Sequence, residues 1–143
     1  MSEMLKRAAA TQACMDRFAG KAVAWGKRDC GKLAAHALHN MGRKAPLLTG
    51  SCHTTAAGAV KYIRQTGFAD LLALMDATLG ADARIPPAAA RPADIVALAS
   101  EPGDGFGCSL TVALDNGRVL GCNPATGLIE PMIPHLYVAA WRV

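Results

Sequence analysis

Aromatic side chains are scarce in this sequence, at three Phe, two Trp and two Tyr. Stacking on bases or sugars is therefore not expected to be its main mode of recognition. Charge is sparse as well, with Asp, Glu, Lys and Arg together making 18% of the chain and a net charge of +4. The basic residues are scattered as Lys6-Arg7, Lys27-Arg28 and Arg43-Lys44. A nucleic-acid-binding protein ordinarily gathers them into a patch or stripe, so no nucleic-acid partner is expected. No stretch reaches the roughly 18–20 apolar residues of a membrane helix. The opening MSEMLKRAAATQACMDRF sets Glu3, Lys6 and Arg7 where a secretory leader needs an apolar run. The expectation is a protein made in a cytoplasm, with no export signal and no membrane span. Five cysteines, at 14, 30, 52, 108 and 122, include no CxxC pair. That removes the common zinc and thioredoxin-type readings, and no metal or cofactor is expected. The default role of each thiol is that of a small buried hydrophobe. The Gly-rich GDGFGC at 103–108 lacks the Lys-Ser/Thr of a phosphate loop and reads as a flexible connection.

What is present is an apolar, compactly patterned chain of 143 residues, 52% hydrophobic, which reads as one domain over 1–143 with enough length to bury a core. Apolar spacing predicts a first helix over 3–18 and a second running from Cys30 to Met41, with Asp29 as its N-cap and Gly42 as its stop. Thr54 or Thr55 can cap a third helix over 55–66, and FADLLALMDATLG reads as a fourth, closed by Gly80. The Pro- and Ala-rich ADARIPPAAARPAD follows as a connection. The pattern then changes to short β-leaning runs at 94–99, 109–115, 118–122, 127–132 and 136–143, with Asn116-Gly117 suited to a type I′ hairpin turn. A helical half over about 1–80 followed by a strand half over about 94–143 is an α+β layout, helices packed on an antiparallel sheet.

The stretch WGKRDCGK at 25–32 carries the most chemistry. A helix N-terminus and nearby cations both lower a thiol pKa, and Cys30 opens the second helix beside Lys27, Arg28 and Lys32. Asp29 opposes them. The arrangement gains specificity from the motifs around it. Phe18-Ala19-Gly20-Lys21, Trp25-Gly26 and Asp29-Cys30 come first. PADIVAL follows, then the hairpin SLTVALDNGRVLG, then Gly127, Ile129 and Pro131, and a closing Ala140-Trp141-Arg142-Val143. In this order they resemble the NlpC-type family of papain-like cell-wall cysteine peptidases, and within it a small phage-associated branch. The resemblance spans 18–143. One departure is Ala93, which stands where the family has the Gly of a Gly-Asp pair.

The resemblance implies an NlpC-type fold with Cys30 as nucleophile, a His base opening the first hairpin strand and an orienting polar residue in the next strand. Through the shared Asn116-Gly117 turn, the base position falls on Ser109 and the orienter near Gly121, with Cys122 and Asn123 just beyond. A serine hydroxyl is no base near neutral pH, so the triad reads as degenerate. Trp25 and Asp29, flanking the nucleophile, are the substrate-binding candidates. Of the four histidines, His36 and His39 lie about 9 and 13.5 Å along the helix axis from Cys30. His135 reads as a turn residue, and His53 in GSCHTT reads either as a solvated residue just ahead of the third helix or as a substitute base folded back toward the thiol. Cys108 and Cys122 flank the hairpin turn and can face one another, but no neighbouring His or carboxylate completes a metal set. What the family implies is a structural component of a phage tail tip or baseplate, assembled in the host cytoplasm beside other tail proteins. The alternative is an active peptidase that cuts peptidoglycan crosslinks during phage entry.

Overall fold

The computed structural model describes residues 2–143. Its helices are α1 (Glu3–Phe18), α2 (Cys30–Asn40), α3 (Pro46–Thr49), α4 (Ala56–Gln65) and α5 (Leu71–Leu79). Its strands are β1 (Arg84–Ile85), β2 (Ile95–Leu98), β3 (Ser109–Ala113), β4 (Val119–Asn123), β5 (Leu128–Met132) and β6 (Tyr137–Trp141). The strands form one six-stranded antiparallel sheet in the order β1-β6-β2-β3-β4-β5. Helices first and antiparallel strands after is the α+β arrangement that the sequence pattern indicates.

Helix starts follow local chemistry. Ser2, Asp29, Thr55 and Asp70 each accept a backbone N–H of the first turn of α1, α2, α4 and α5, satisfying donors that no helical carbonyl can reach. Asn116 and Gly117 both take positive φ, and the Arg118 N–H closes the turn on the Asp115 carbonyl, as a type I′ geometry requires. Two elements differ from the sequence reading. The loop over 43–53 contains α3, which starts on Pro46, a residue already set for the first helical position. The Pro- and Ala-rich connection contributes β1, whose Arg84 and Ile85 pair with Trp141 and Ala140 at the sheet edge. Two residues are too few to leave a periodic signal.

Period-2 alternation gives the sheet two apolar faces. On one, Ile95, Leu110, Val112, Leu120 and Trp141 pack with Leu33, Ala34, Ala37 and Leu38 of α2 in the main core. On the other, Val96, Ala113, Val119 and Ala140 are buried with Ile85 and Ala90 of the connection against them. The buried Asp94 carboxylate ties the chain ends together. It accepts from Arg7 of α1 at 2.8 Å, Arg142 at 2.9 Å and the backbone N–H groups of Arg91 and Val143. A charge so deeply buried is tolerable because every oxygen is met by donors and two guanidiniums. Ala93 just before it holds φ 75°, a left-handed conformation that glycine adopts without a steric cost.

Candidate functional site

The segment between α1 and α2 is tied to β5. Gly20 N–H donates to the Ile129 carbonyl, Ile129 N–H to that of Lys21, and Val23 N–H to that of Gly127. The chain then turns through Trp25-Gly26 into Asp29, whose carboxylate organises the loop. One oxygen accepts the Lys32 N–H at 2.9 Å, capping α2; the other accepts the Gly26 N–H at 2.8 Å and lies 2.7 Å from His53 Nε2. Gly26 has φ 85°, and a Cβ there would run into the His53 carbonyl oxygen. The Trp-Gly and Asp-Cys pairs thus have one local purpose, to lock the α3–α4 loop against the start of α2.

Cys30 stands at the first position of α2, half-buried and packed against the main core. It lines a small cavity of about 40 Å³ together with Trp25, Asp29, His53, Tyr62 and Phe106, room for about one water molecule. Ala59 and Ile63 of α4 and Leu71 and Leu74 of α5 complete the wall, so these helices pack over the cysteine. The Trp25 and Phe106 rings are stacked with centroids 5.5 Å apart, and Trp25 meets the His53 ring edge-on at 6.4 Å. Burial pushes the Cys30 thiol up to about 11 and the Asp29 carboxylate adds to the rise, while hydrogen bonds with the backbone of Leu110, Cys30 and Gly31 pull the other way. Burial outweighs the backbone hydrogen bonds, and the thiol is held neutral.

The positions opposite Cys30 are set by strand alternation. Leu110 and Val112 face α2, so Ser109, Thr111 and Ala113 face the far side of the sheet. Thr111 donates to the Val96 carbonyl, and a Cβ on Gly121 would lie 2.5 Å from Thr111 Cγ2, which puts Gly121 on that same far side. Ser109 and Gly121 are therefore not brought together with Cys30. The adjacent residues are: Cys108 is buried in the main core, and Cys122 packs against it. Both lie within electrostatic reach of Cys30. Burial chiefly raises the pKa of each, that of Cys122 to about 12, and a thiolate at Cys30 would raise them further. A shift of one residue along a strand exchanges its faces, and an alignment anchored on a distant turn cannot resolve that shift.

Among the histidines, His53 is brought to the site. Its side chain is 9% exposed, Nε2 is engaged by Asp29, and Nδ1 is buried with no hydrogen-bond partner among the described residues. With Nε2–H donated to the carboxylate, Nδ1 of a neutral ring keeps its lone pair. His36 packs edge-on against Phe18 at 5.6 Å on the other side of α2, His39 is exposed on the same helix, and His135 is exposed before β6. Trp25 and Asp29 do flank the cysteine: Trp25 lines the cavity, and Asp29 spends its carboxylate on the loop, the helix cap and His53. The contributions of Phe106, Tyr62 and α5 left no mark in the sequence, because loop and helix residues reach the cavity only through the tertiary fold. Among the described residues, no group of three or more His, Cys, Asp or Glu is placed to hold a metal ion, and no helix is long and apolar enough to cross a membrane.

The fold is similar to a solved structure of NlpC1 from Trichomonas vaginalis, with a TM-score of 0.59 at 12% identity. The match covers 99% of this chain and 45% of that one, so the chain spans less than half the length of its structural neighbour. At this identity the likeness establishes an NlpC-like, papain-like fold. No curated protein matches the sequence. A family model described as a domain of unknown function, DUF6950, matches residues 4–143, and the chain belongs to that family.

Proposed function

We propose that this chain is a non-catalytic NlpC-type module, a structural component of a phage tail tip or baseplate. One observation carries the loss of catalysis: His53, the histidine that lines the Cys30 pocket, forms no hydrogen bond with the thiol, its Nε2 being engaged by Asp29 and its Nδ1 unpartnered among the described residues. The thiol is also held protonated by burial, and a cysteine peptidase needs the thiolate. The tail assignment rests on the resemblance of the ordered anchors from Phe18 to Val143 to phage-associated members of the superfamily. The test has two parts. Mass spectrometry of purified virions from a phage encoding the chain is expected to find it at tail stoichiometry. Murein fragments incubated with the pure protein are expected to stay intact. A measured cleavage that Cys30→Ala abolishes overturns the reading.

His53 favours a second reading, an active cysteine peptidase acting on peptidoglycan. The Asp29–His53 pair has the form of an oriented base with an unpartnered Nδ1, and His53 lines the same cavity as Cys30. No hydrogen bond joins them, so this reading requires the ring and thiol to close together and α4 to move aside. It predicts that His53→Ala and Cys30→Ala abolish the same cleavage.

A further inference from the structure

A second cleft of about 630 Å³, to whose lining Cys30 does not belong, is lined by Arg17, Lys21, Lys27, Arg28 and Lys32. These cations are spread over sixteen positions of sequence, and the α1–α2 connection folds them around one concavity. None forms an ion pair among the described residues. The nearby carboxylates are turned elsewhere: Asp16 accepts from Gln12, and Asp29 is committed to Gly26, Lys32 and His53. Five cations line the cleft and two carboxylates lie near it, so it carries a local excess of positive charge. His36 and His39 line it too, and burial, then Arg17 and His39, lower the His36 pKa, a sign of the positive field there. Such a set of unneutralised charges in one cleft is unfavourable without a counter-ion.

We propose that this cleft binds a compact oligophosphate anion, with Arg17, Lys21, Lys27 and Arg28 presenting donors and Lys32 supplying fixed charge. Arg17, Lys21 and Lys27 are exposed, with the Arg17 guanidinium 5.7 Å over the Phe18 ring. Arg28 spends Nε on the Ala22 carbonyl, which fixes its guanidinium and leaves its terminal nitrogens available. The Lys32 ammonium donates to Leu48 and Ser51, so it contributes charge and not a free donor. The volume falls in the range of small-molecule sites, about 300–1,000 Å³. The cations converge on one concavity, where a nucleic-acid track would run as a stripe. A nucleoside triphosphate and a bare polyphosphate share this chemistry. The inference does not depend on the state of Cys30.

Calorimetric titration of the full chain with tripolyphosphate and with ATP, at about 50 mM salt, tests it. The expected result is saturable one-to-one binding that weakens about tenfold or more at about 200 mM salt, since screening shortens the reach of exposed charges. The Arg17→Glu/Lys27→Glu double variant is expected to weaken binding by about tenfold or more, and Lys61→Glu, exposed on α4, to leave it unchanged. Lys21→Ala/Lys27→Ala gives the same reading if the charge-reversed protein does not fold. Equal affinity for both probes assigns the site to the phosphate chain alone, and tighter ATP binding adds a nucleoside contact. The proposal is overturned if neither probe binds saturably, if the charge variants bind as the wild type does, or if a single-stranded oligonucleotide binds more tightly than tripolyphosphate.

Discussion

Asp29 and His53, 24 positions apart, meet at 2.7 Å beneath Trp25, and the same carboxylate caps α2 and holds the Gly26 turn. The pair joins the cysteine helix to the α3–α4 loop and so fixes what lies over Cys30. Loss of a cap costs about 1 kcal/mol and an unmet buried donor about 1–3 kcal/mol. Asp29→Ala is therefore expected to destabilise by about 2–4 kcal/mol in urea unfolding. His53→Ala leaves the cap and the Gly26 bond intact, and a loss of about 1–2 kcal/mol is expected. Equal effects would place the stability in the His53 contact and not in the loop.

Cys30 alkylation by iodoacetamide reports its ionisation. Against an ordinary thiol at 9.0, a value of about 11 leaves about 100-fold less thiolate near neutrality. A more basic thiolate is more nucleophilic, which offsets part of this, so reaction about tenfold slower than a free thiol is expected at pH 7.5. The rate is expected to climb through pH 10. A plateau below pH 8 would sink the neutral-thiol assignment.

Four thiols titrate later in the fold than in the unfolded chain. Cys14, Cys30 and Cys122 are pushed up to about 12, 11 and 12 from 9.0, and Cys108 also rises, each chiefly by burial. The unfolded chain therefore releases these protons first, and stability present below pH 9 is lost as pH rises through the folded values. Urea midpoints measured in reductant are expected to fall steadily from pH 9 to pH 11, and Cys14→Ala to flatten that slope. A midpoint constant over this window would refute the burial argument.

Asp94 is held by Arg7, Arg142 and two backbone N–H groups at zero exposure. Removing one partner of such a group leaves buried charge unmatched, at a cost of about 3–5 kcal/mol. Arg7→Met is expected to lie in that range by chemical denaturation, although it removes no part of the Cys30 cavity. A loss under about 1 kcal/mol would mean that Arg142 alone neutralises the carboxylate.

Ala93 keeps a left-handed backbone, about 1–2 kcal/mol unfavourable for an L residue, while its methyl packs with Ala10 and Met41. Ala93→Gly relieves the first and forfeits about 0.8 kcal/mol of burial plus some chain entropy. A net change within about 1 kcal/mol is expected. Ala34→Gly in α2, equally buried, has no strain to relieve and is expected to cost about 2 kcal/mol.

The longer helices and strands, though not α3 and β1, were legible in the sequence because their causes are local. Apolar periodicity, side-chain caps such as Asp29 and Thr55, and the Asn116-Gly117 turn act within a few residues. The order of motifs from Phe18 to Val143 carried the fold, and Cys30 was legible as the first residue of its helix. Its environment was not. Whether Ser109 or Cys108 faces the thiol depends on a one-residue register choice, settled by which side of β3 buries Leu110 and Val112. The approach of His53 depends on a loop closed through Asp29, and the raised Cys30 pKa on α4 and α5 packing over the site. The basic residues likewise look dispersed along the chain and become one cleft when α1 and α2 are brought together. Burial, alternation and charge density belong to the assembled surface, so only the tertiary structure decided them.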